Sequence, residues 1–395
     1  MSLFIEYHLI QNFVPSNLNR DDTGAPKDAL FGGHRRARVS SQCFKRAVRV
    51  WFREQSDLSP DVIGKRTLRL DRLLADELAA IGLTDKSKFN EIVKLALKKK
   101  AGKDKAEKSE SGNGEGDDDD SALSYLMFIS PAEIAAMAKV IAEHAEAIKL
   151  IAAKKKPKPA DVPDDLKAAL RDCLTKLRAV DIALFGRMLA DRPENNQHAA
   201  CQVAHAISTH RVEREFDYFT AVDEKASPEE TGAPMIGQVE FNSATFYRYA
   251  SLDAHKLQGN LQGDRDLTLA GIGAFTQALA RAIPSGKQNS FAANNPPSFV
   301  GVVLRHASPF NLANAYEKPV WTDRQQAITA QSVKVMAAQE RQLATAYGDA
   351  RDVWAFLDLT EAWPQDLGER QASLAALTDW VTAQVASRLG PTSRA

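Results

Sequence analysis

Residues 2–10, Ser2-Leu3-Phe4-Ile5-Glu6-Tyr7-His8-Leu9-Ile10, alternate with period two: Leu3, Ile5, Tyr7 and Leu9 share one face, and Phe4, Glu6, His8 and Ile10 the other. The stretch therefore opens a sheet. Residues 11–39 are rich in Asn, Asp, Pro, Gly and Arg, and Gly32-Gly33 is turn chemistry, so a long irregular segment is predicted there. Ser40 or Ser41 then caps a helix running to about Glu54, because a serine oxygen accepts from the free N–H groups of the first turn. Strands return at Asp181–Met188, in a hairpin between Ala199 and Val222, and at Gly237–Tyr249, where Val239, Phe241, Ser243, Thr245 and Tyr247 alternate with their neighbours. A helix over Leu267–Ile283 and a short buried strand over Phe299–Arg305 follow. With the intervening helical segment set aside, the order is strand, helix, strand, strand, helix, strand, which is the ferredoxin-like order within an α+β class. A helix over Arg324–Tyr347, a strand near Val353–Leu359 and a last helix over Glu369–Leu389 finish the chain.

The segment set aside is helical by its apolar spacing, with Leu70, Leu73, Leu74 and Leu78 in one stretch and Phe89, Ile92, Val93, Leu95, Ala96 and Leu97 in another. Further helices are predicted over Pro131–Lys154 and Leu166–Leu177. The segment is split ahead of Pro131 by Lys98–Asp120, which is almost wholly Lys, Glu, Gly, Ser and Asp. Such a segment has too little apolar surface to offset its ordering entropy, so disorder is predicted over about 98–121. Three parts are thus expected: 1–56, carrying the first strand, basic loop and basic helix; 57–179, a helical insertion; and 180–395, which completes the sheet and includes a protruding hairpin over about 189–236.

The 395 residues are 44% apolar and 26% charged, which excludes a fully disordered or collagen-like chain. Lys+Arg and Asp+Glu both number 51, so a nucleic-acid surface must come from local segregation of charge. Cys43, Cys173 and Cys201 are widely spaced without a CxxC pattern and read as buried thiols of a reducing compartment. The first residues carry no secretory pattern, and no apolar run approaches membrane-spanning length. A cytoplasmic location without membrane contact is expected.

Charge is segregated between Arg20 and Arg53. Nine cations (Arg20, Lys27, Arg35, Arg36, Arg38, Lys45, Arg46, Arg49, Arg53) stand against three Asp (Asp21, Asp22, Asp28), a local excess of six. On a helix, Gln42, Lys45, Arg46, Arg49 and Arg53 fall within an arc of about 100°, opposite Phe44, Val48 and Trp51. A row of cations about a turn apart suits successive phosphates; the alternative is a solvated helix face. Pro284-Ser285-Gly286-Lys287-Gln288-Asn289 is a polar turn able to approach a phosphate, or an ordinary surface turn. Tyr218, Phe219, Val222 and Met188 offer apolar side chains able to wedge between bases, or to pack in a core. No HExxH, P-loop or GxSxG pattern is present, and His205 and His210 point to opposite faces of a strand-like stretch. No catalytic residue, metal site or cofactor is predicted.

At Leu18-Asn19-Arg20-Asp21-Asp22, Lys27-Asp28-Ala29-Leu30-Phe31-Gly32-Gly33 and Arg35-Arg36-Ala37-Arg38-Val39-Ser40-Ser41-Gln42, the sequence resembles the CasC family, the backbone subunit of the type I-E CRISPR Cascade complex. The likeness continues through Val180-Asp181-Ile182-Ala183-Leu184, Gly186-Arg187-Met188, Ala204–His210, Phe219–Asp223, Phe246–Ala250 and Asn314–Lys318. It implies a hand-shaped subunit with an RRM-like (ferredoxin-like) palm, helical fingers and a β-hairpin thumb. Implied partners are guide RNA (crRNA), copies of itself in a head-to-tail filament, other Cascade subunits, and target DNA paired to the guide. The implied contacts to the RNA backbone are Asn19, Arg20, Lys27, Ser40, Gln42, Lys45, Arg46, Arg49, Arg187, Lys287 and Gln288. Met188, Phe219 and Val222 are the implied base wedge. Recognition blind to base identity fits this local charge without base-reading geometry. Two rivals are an RNA-cleaving subunit of a type III-like complex, using Asp21 or Asp22, and a scaffold that contacts protein alone.

Overall fold

The computed structural model describes residues 3–80, 126–154, 158–175, 177–189, 195–221, 235–321 and 326–390. The class is mixed α+β. The first strand, β1 (Phe4–Ser16), lies between two antiparallel partners, β9 (Met235–Asp253) and β10 (Phe299–Arg305), so that Ile5 stands opposite both Leu252 and Leu304. Every residue of β10 is buried, as expected for a strand inside a sheet covered on both faces. Beyond β10 lie β11 (Val353–Asp358) and β12 (Glu369–Arg370); beyond β9 lie β7 (Ala206–Ser208), β3 (His34–Val39) and β2 (Asp28–Phe31). The spatial order is β12-β11-β10-β1-β9-β7-β3-β2, and β6 (Cys201–Val203) and β8 (Glu215–Ala221) also pair with β9. Helix α1 (Ser41–Glu54) and the helix Arg265–Arg281 pack together.

The chain divides into two compact units. One comprises residues 1–58, 201–258 and 265–395 and holds this sheet; the other comprises 59–200 and 259–264. The second unit has its own core, in which Leu70, Leu74 and Leu78 meet Ile134, Met137, Ile141, Leu166 and Leu170, beside the strand pair β4 (Lys65–Thr67) and β5 (Met127–Ile129). Val180–Ala200 belongs to this unit.

Four local expectations are corrected. Residues 11–39 are not one irregular segment. β1 continues to Ser16 because β9 stays paired with it as far as Asn242, through a bulge between Phe13 and Ser16, and β2 and β3 form a hairpin. Its turn uses Gly32 and Gly33 at φ 57° and 76°, where a side chain is strained. Second, Val180–Phe185 is a helix: Val180, Asp181, Ile182, Ala183 and Leu184 are all buried, and an apolar run enclosed on every side reads like a buried strand. Asp181 is tolerated there because its Oδ1 accepts from the Gly64 N–H at 2.7 Å. Third, Ala199–Val222 is not a hairpin in itself; β6, β7 and β8 each pair with β9, and the hairpin is β8–β9. Fourth, the last helix is Leu374–Arg388, while Glu369–Arg370 joins the sheet parallel to β11. The tract 98–121 lies outside the described residues, as do 190–194 and 222–234 of the expected thumb.

The second face of β1 is also covered, which its alternation does not foresee. Glu6 and His8 are fully buried. Arg305 of β10 donates from Nε to Glu6 at 2.5 Å and from Nη2 to Glu340 at 2.7 Å, and pairs with Asp352 at 3.2 Å. The Tyr249 hydroxyl donates to Glu6 at 2.5 Å. A buried charge set of this kind is tolerated because each member has partners, and removing one strands the others.

Candidate nucleic-acid interface

Helix α1 begins where predicted. Ser40 is its N-cap, with φ −68° and ψ 149°, and its side-chain oxygen accepts from the Cys43 N–H at 3.3 Å; such a cap stabilises a helix by about 1 kcal/mol. Phe44, Val48, Trp51 and Phe52 are buried, while Gln42, Arg46 and Arg53 are exposed and Lys45 and Arg49 half-buried. The helix thus presents its cations away from its aromatic face.

Two loops meet this helix. In the first, Asn17 donates from Nδ2 to the carbonyls of Gly24 at 3.0 Å and Glu240 at 2.9 Å. Asp21 Oδ1 accepts from Thr23 N, Thr23 Oγ1 and Ala25 N at 2.7–3.1 Å. The Thr23 hydroxyl, followed by the backbone N–H groups, holds the Asp21 carboxyl below its ordinary pKa. Asn19 Oδ1 accepts from Ser40 N at 2.9 Å, and Lys27 N donates to Asn19 O at 2.9 Å. The second loop is the turn Pro284–Gln288. A Cβ on Gly286 would stand 2.3 Å from the Leu18 carbonyl oxygen, so only glycine permits this approach of backbone to backbone. Lys287 adopts the left-handed conformation, and Gln288 Nε2 donates to Pro284 O at 3.1 Å. Arg46 reaches Ser285 Oγ at 3.4 Å.

Between these walls is an open groove of about 820 Å³, lined by the cations Arg20, Arg46 and Arg53, the carboxylates Asp21, Asp22 and Glu54, and the Pro284–Gly286 turn. Of the residues predicted to hold RNA, Arg20, Asn19 and Arg46 line it, and Lys287 and Gln288 belong to the turn that bounds it. Gln42, Lys45, Arg49 and Lys27 lie outside its lining. Asn19 and Ser40 fasten loop to helix through the oxygens described above. The turn's role as a wall has a sequence signal in its Ser-Gly pair; that of Arg53 follows from the arc of the helix.

Three cations counted in the basic stretch are engaged internally. Arg36 is fully buried and donates to four carbonyls: Ser208 at 3.1 Å, Thr209 at 2.9 Å, Tyr316 at 2.8 Å and Glu317 at 3.2 Å. Arg38 donates from Nε to Asp28 O at 3.0 Å and meets His205 Nδ1 at 3.0 Å. Arg35 is paired with Asp28, which also pairs with Arg214 at 2.9 Å. With Arg36 enclosed, the local excess of six is smaller at the surface than in the sequence, while the Arg35–Asp28 pair is already counted in it.

Arg187, expected to contact the RNA backbone, faces inward. It is buried in the second unit, its Nη1 2.8 Å from Glu133 Oε1 and its Nη2 3.0 Å from the Leu174 carbonyl, because Glu133 has no other buried cation to neutralise it among the described residues. Its neighbour Met188 is 79% exposed. On the β8–β9 hairpin, Phe219 stands opposite Gly237, and its ring lies so close that a Cβ on Gly237 would be 2.4 Å from Cζ. It remains 38% exposed, less than its neighbours Phe216 and Tyr218. Val222 lies outside the described residues. Cys173 and Cys201 are buried and Cys43 is half-buried. Among the described residues, no group of His, Cys, Asp and Glu is arranged to hold a metal ion, and no helix is long and apolar enough to cross a membrane.

The chain is similar to two solved structures. One, described as a CRISPR RNA-guided surveillance complex, pre-nicking, contains a chain that aligns with a TM-score of 0.81 at 33% identity, covering 96% of this chain and 99% of that one. Another, described as a CRISPR RNA-guided surveillance complex, gives 0.71 at 29% identity over the same shares. No curated protein matches. The profile of the family described as CT1975-like protein matches residues 5–380, nearly the whole length, and the chain belongs to that family.

Proposed function

We propose that this chain is a non-catalytic backbone subunit of a CRISPR surveillance ribonucleoprotein, of the type I-E Cascade kind, which holds the ribose-phosphate chain of guide RNA. The observation that carries the reading is the convergence of Arg20, Arg46 and Arg53 with the Ser285-Gly286 turn on one open groove. Cations on a helix beside a glycine turn that admits close backbone approach suit phosphates and ignore base identity. The similar chains come from complexes described as RNA-guided, which supports the same partner. In this reading β10-β1-β9-β7 is the RRM-like palm, the second unit the fingers and β8–β9 the thumb. Copies follow one another along the guide in the cytoplasm, an open heterologous assembly, and leave guide bases free to pair with target DNA.

The experiment is purification from the native host under mild salt, with sequencing of the RNA that comes with the protein. Spacer-containing guide RNA is the expected result; protein complexes free of small RNA would refute the reading. A cleaving role for the loop aspartates is disfavoured by Asp21, whose carboxylate is held by Thr23 and Ala25. Complementary RNA incubated with the complex should remain intact, and cleavage lost on Asp22→Ala would favour the rival.

A further inference from the structure

Among the described residues four arginines are almost wholly buried, and three have evident compensation. Arg305 has Glu6, Glu340 and Asp352; Arg187 has Glu133; Arg36 has a cage of four carbonyls. Arg248 of β9 differs. It is 4% exposed, and among the described residues no carboxylate lies within ion-pair reach. Its Nη1 donates to Gln11 Oε1 at 2.5 Å, and its guanidinium lies 3.9 Å from the centre of the Phe44 ring. Gln11 cannot turn to improve this, because its Nε2 is held by the Asn295 carbonyl at 2.7 Å. An amide dipole and a ring face offset only part of the cost of dehydrating a full charge. Burial accordingly pulls its pKa down to about 9, which still leaves the group charged at neutral pH.

Phe44 is on the inner face of α1, and Arg46 and Arg53 are on that helix's exposed side. Arg248 is therefore a cation beneath a helix already crowded with cations. We propose that Arg248 is a buried member of the nucleic-acid site, a positioning and electrostatic residue whose counter-charge is a phosphate chain lying along the far side of α1. The inference rests on the reading of the groove as a phosphate site and adds a residue that never touches the ligand. Across one helix diameter of about 10 Å, and in a medium of intermediate dielectric, one unit charge changes phosphate affinity about threefold to tenfold.

The full chain is titrated with a fluorescein-labelled oligouridine at fixed ionic strength, and Tm is measured without RNA. Arg248→Met keeps volume and removes charge: Tm is expected to hold or rise while binding weakens about threefold to tenfold. Arg248→Lys keeps charge and loses the planar stack, and is expected to bind within about twofold of the parent even if Tm falls. Binding by Arg248→Met equal to the parent, or a fall in Tm that accompanies its loss of binding, overturns the proposal. So does loss of binding by a folded Arg248→Lys, which also decides the matter if the Met variant does not fold. Should the parent chain itself fail to bind oligouridine, the groove reading and the proposed ligand role fall together, whereas failure of the variants alone leaves the groove reading standing.

Discussion

Replacing Arg36 and Arg46 separately should split two properties that the sequence places in a single basic run. Arg36 makes four hydrogen bonds of 2.8–3.2 Å to backbone carbonyls, all but enclosed, whereas Arg46 is exposed and has one contact of 3.4 Å. In Arg36→Met the methionine fills part of the space but leaves acceptors of Ser208, Tyr316 and Glu317 without their donor. At about 1 kcal/mol for each of these three carbonyls, less a partial offset from no longer burying a charge, the loss is about 2 kcal/mol. That is a large part of a typical domain's stability. Arg46→Ala should change stability by less than about 0.5 kcal/mol but lower the slope of log K against log salt for single-strand RNA by about 0.7. Urea unfolding with a fitted m-value reads the first, and fluorescence titration at several salt concentrations reads the second. Destabilisation under about 1 kcal/mol in Arg36→Met, or an unchanged slope in Arg46→Ala, would refute the division of this run into a structural and a binding part.

Three further outcomes are expected. Gly286→Ala places a Cβ 2.3 Å from Leu18 O and 3.0 Å from Asn17 O, so the two groove walls must part by roughly 1 Å to regain ordinary contact; a loss of about 1–3 kcal/mol together with weakened RNA binding is expected by thermal melting and titration, and unchanged values would contradict it. Glu133→Gln leaves Arg187 buried without its carboxylate and should destabilise the second unit by about 3 kcal/mol, seen as earlier proteolysis of its segments, with no effect on the salt slope of RNA binding. Phe219→Ala should alter the periodic exposure of guide bases in the assembled complex while backbone affinity stays nearly constant; chemical probing that is identical in both proteins would dismiss the wedge.

Helix α1 was legible because two independent signals agree there: a serine cap at Ser40, and apolar side chains at 44, 48, 51 and 52 on one side. β10 was legible for a simpler reason, a short apolar run bounded by polar residues. The helix Val180–Phe185 was not, since a segment buried on all sides has no polar face to mark its period. Of the groove, the cations of α1 and the Ser285-Gly286 turn could be named from sequence. Arg187 was counted among the RNA contacts, and Arg36 stood in the surface tally, for one physical cause. A guanidinium contributes the same charge to a count whether it faces water or lies beside Glu133, and only the long-range partner, distant in sequence, decides. The same limit hid Arg248 and Arg214, whose partners come from β1, β2 and β9.

The ion cluster around Arg305 bears on how the chain is made. Glu6 precedes in the chain the groups of residues 249, 305 and 310 that neutralise and bond it, and Glu340 and Asp352 complete the set later still. β1 gains its full set of partners only once residues 340–352 have been made, so the sheet closes around Glu6 after that point, and a nascent chain stalled before residue 340 should depend on chaperones to stay soluble.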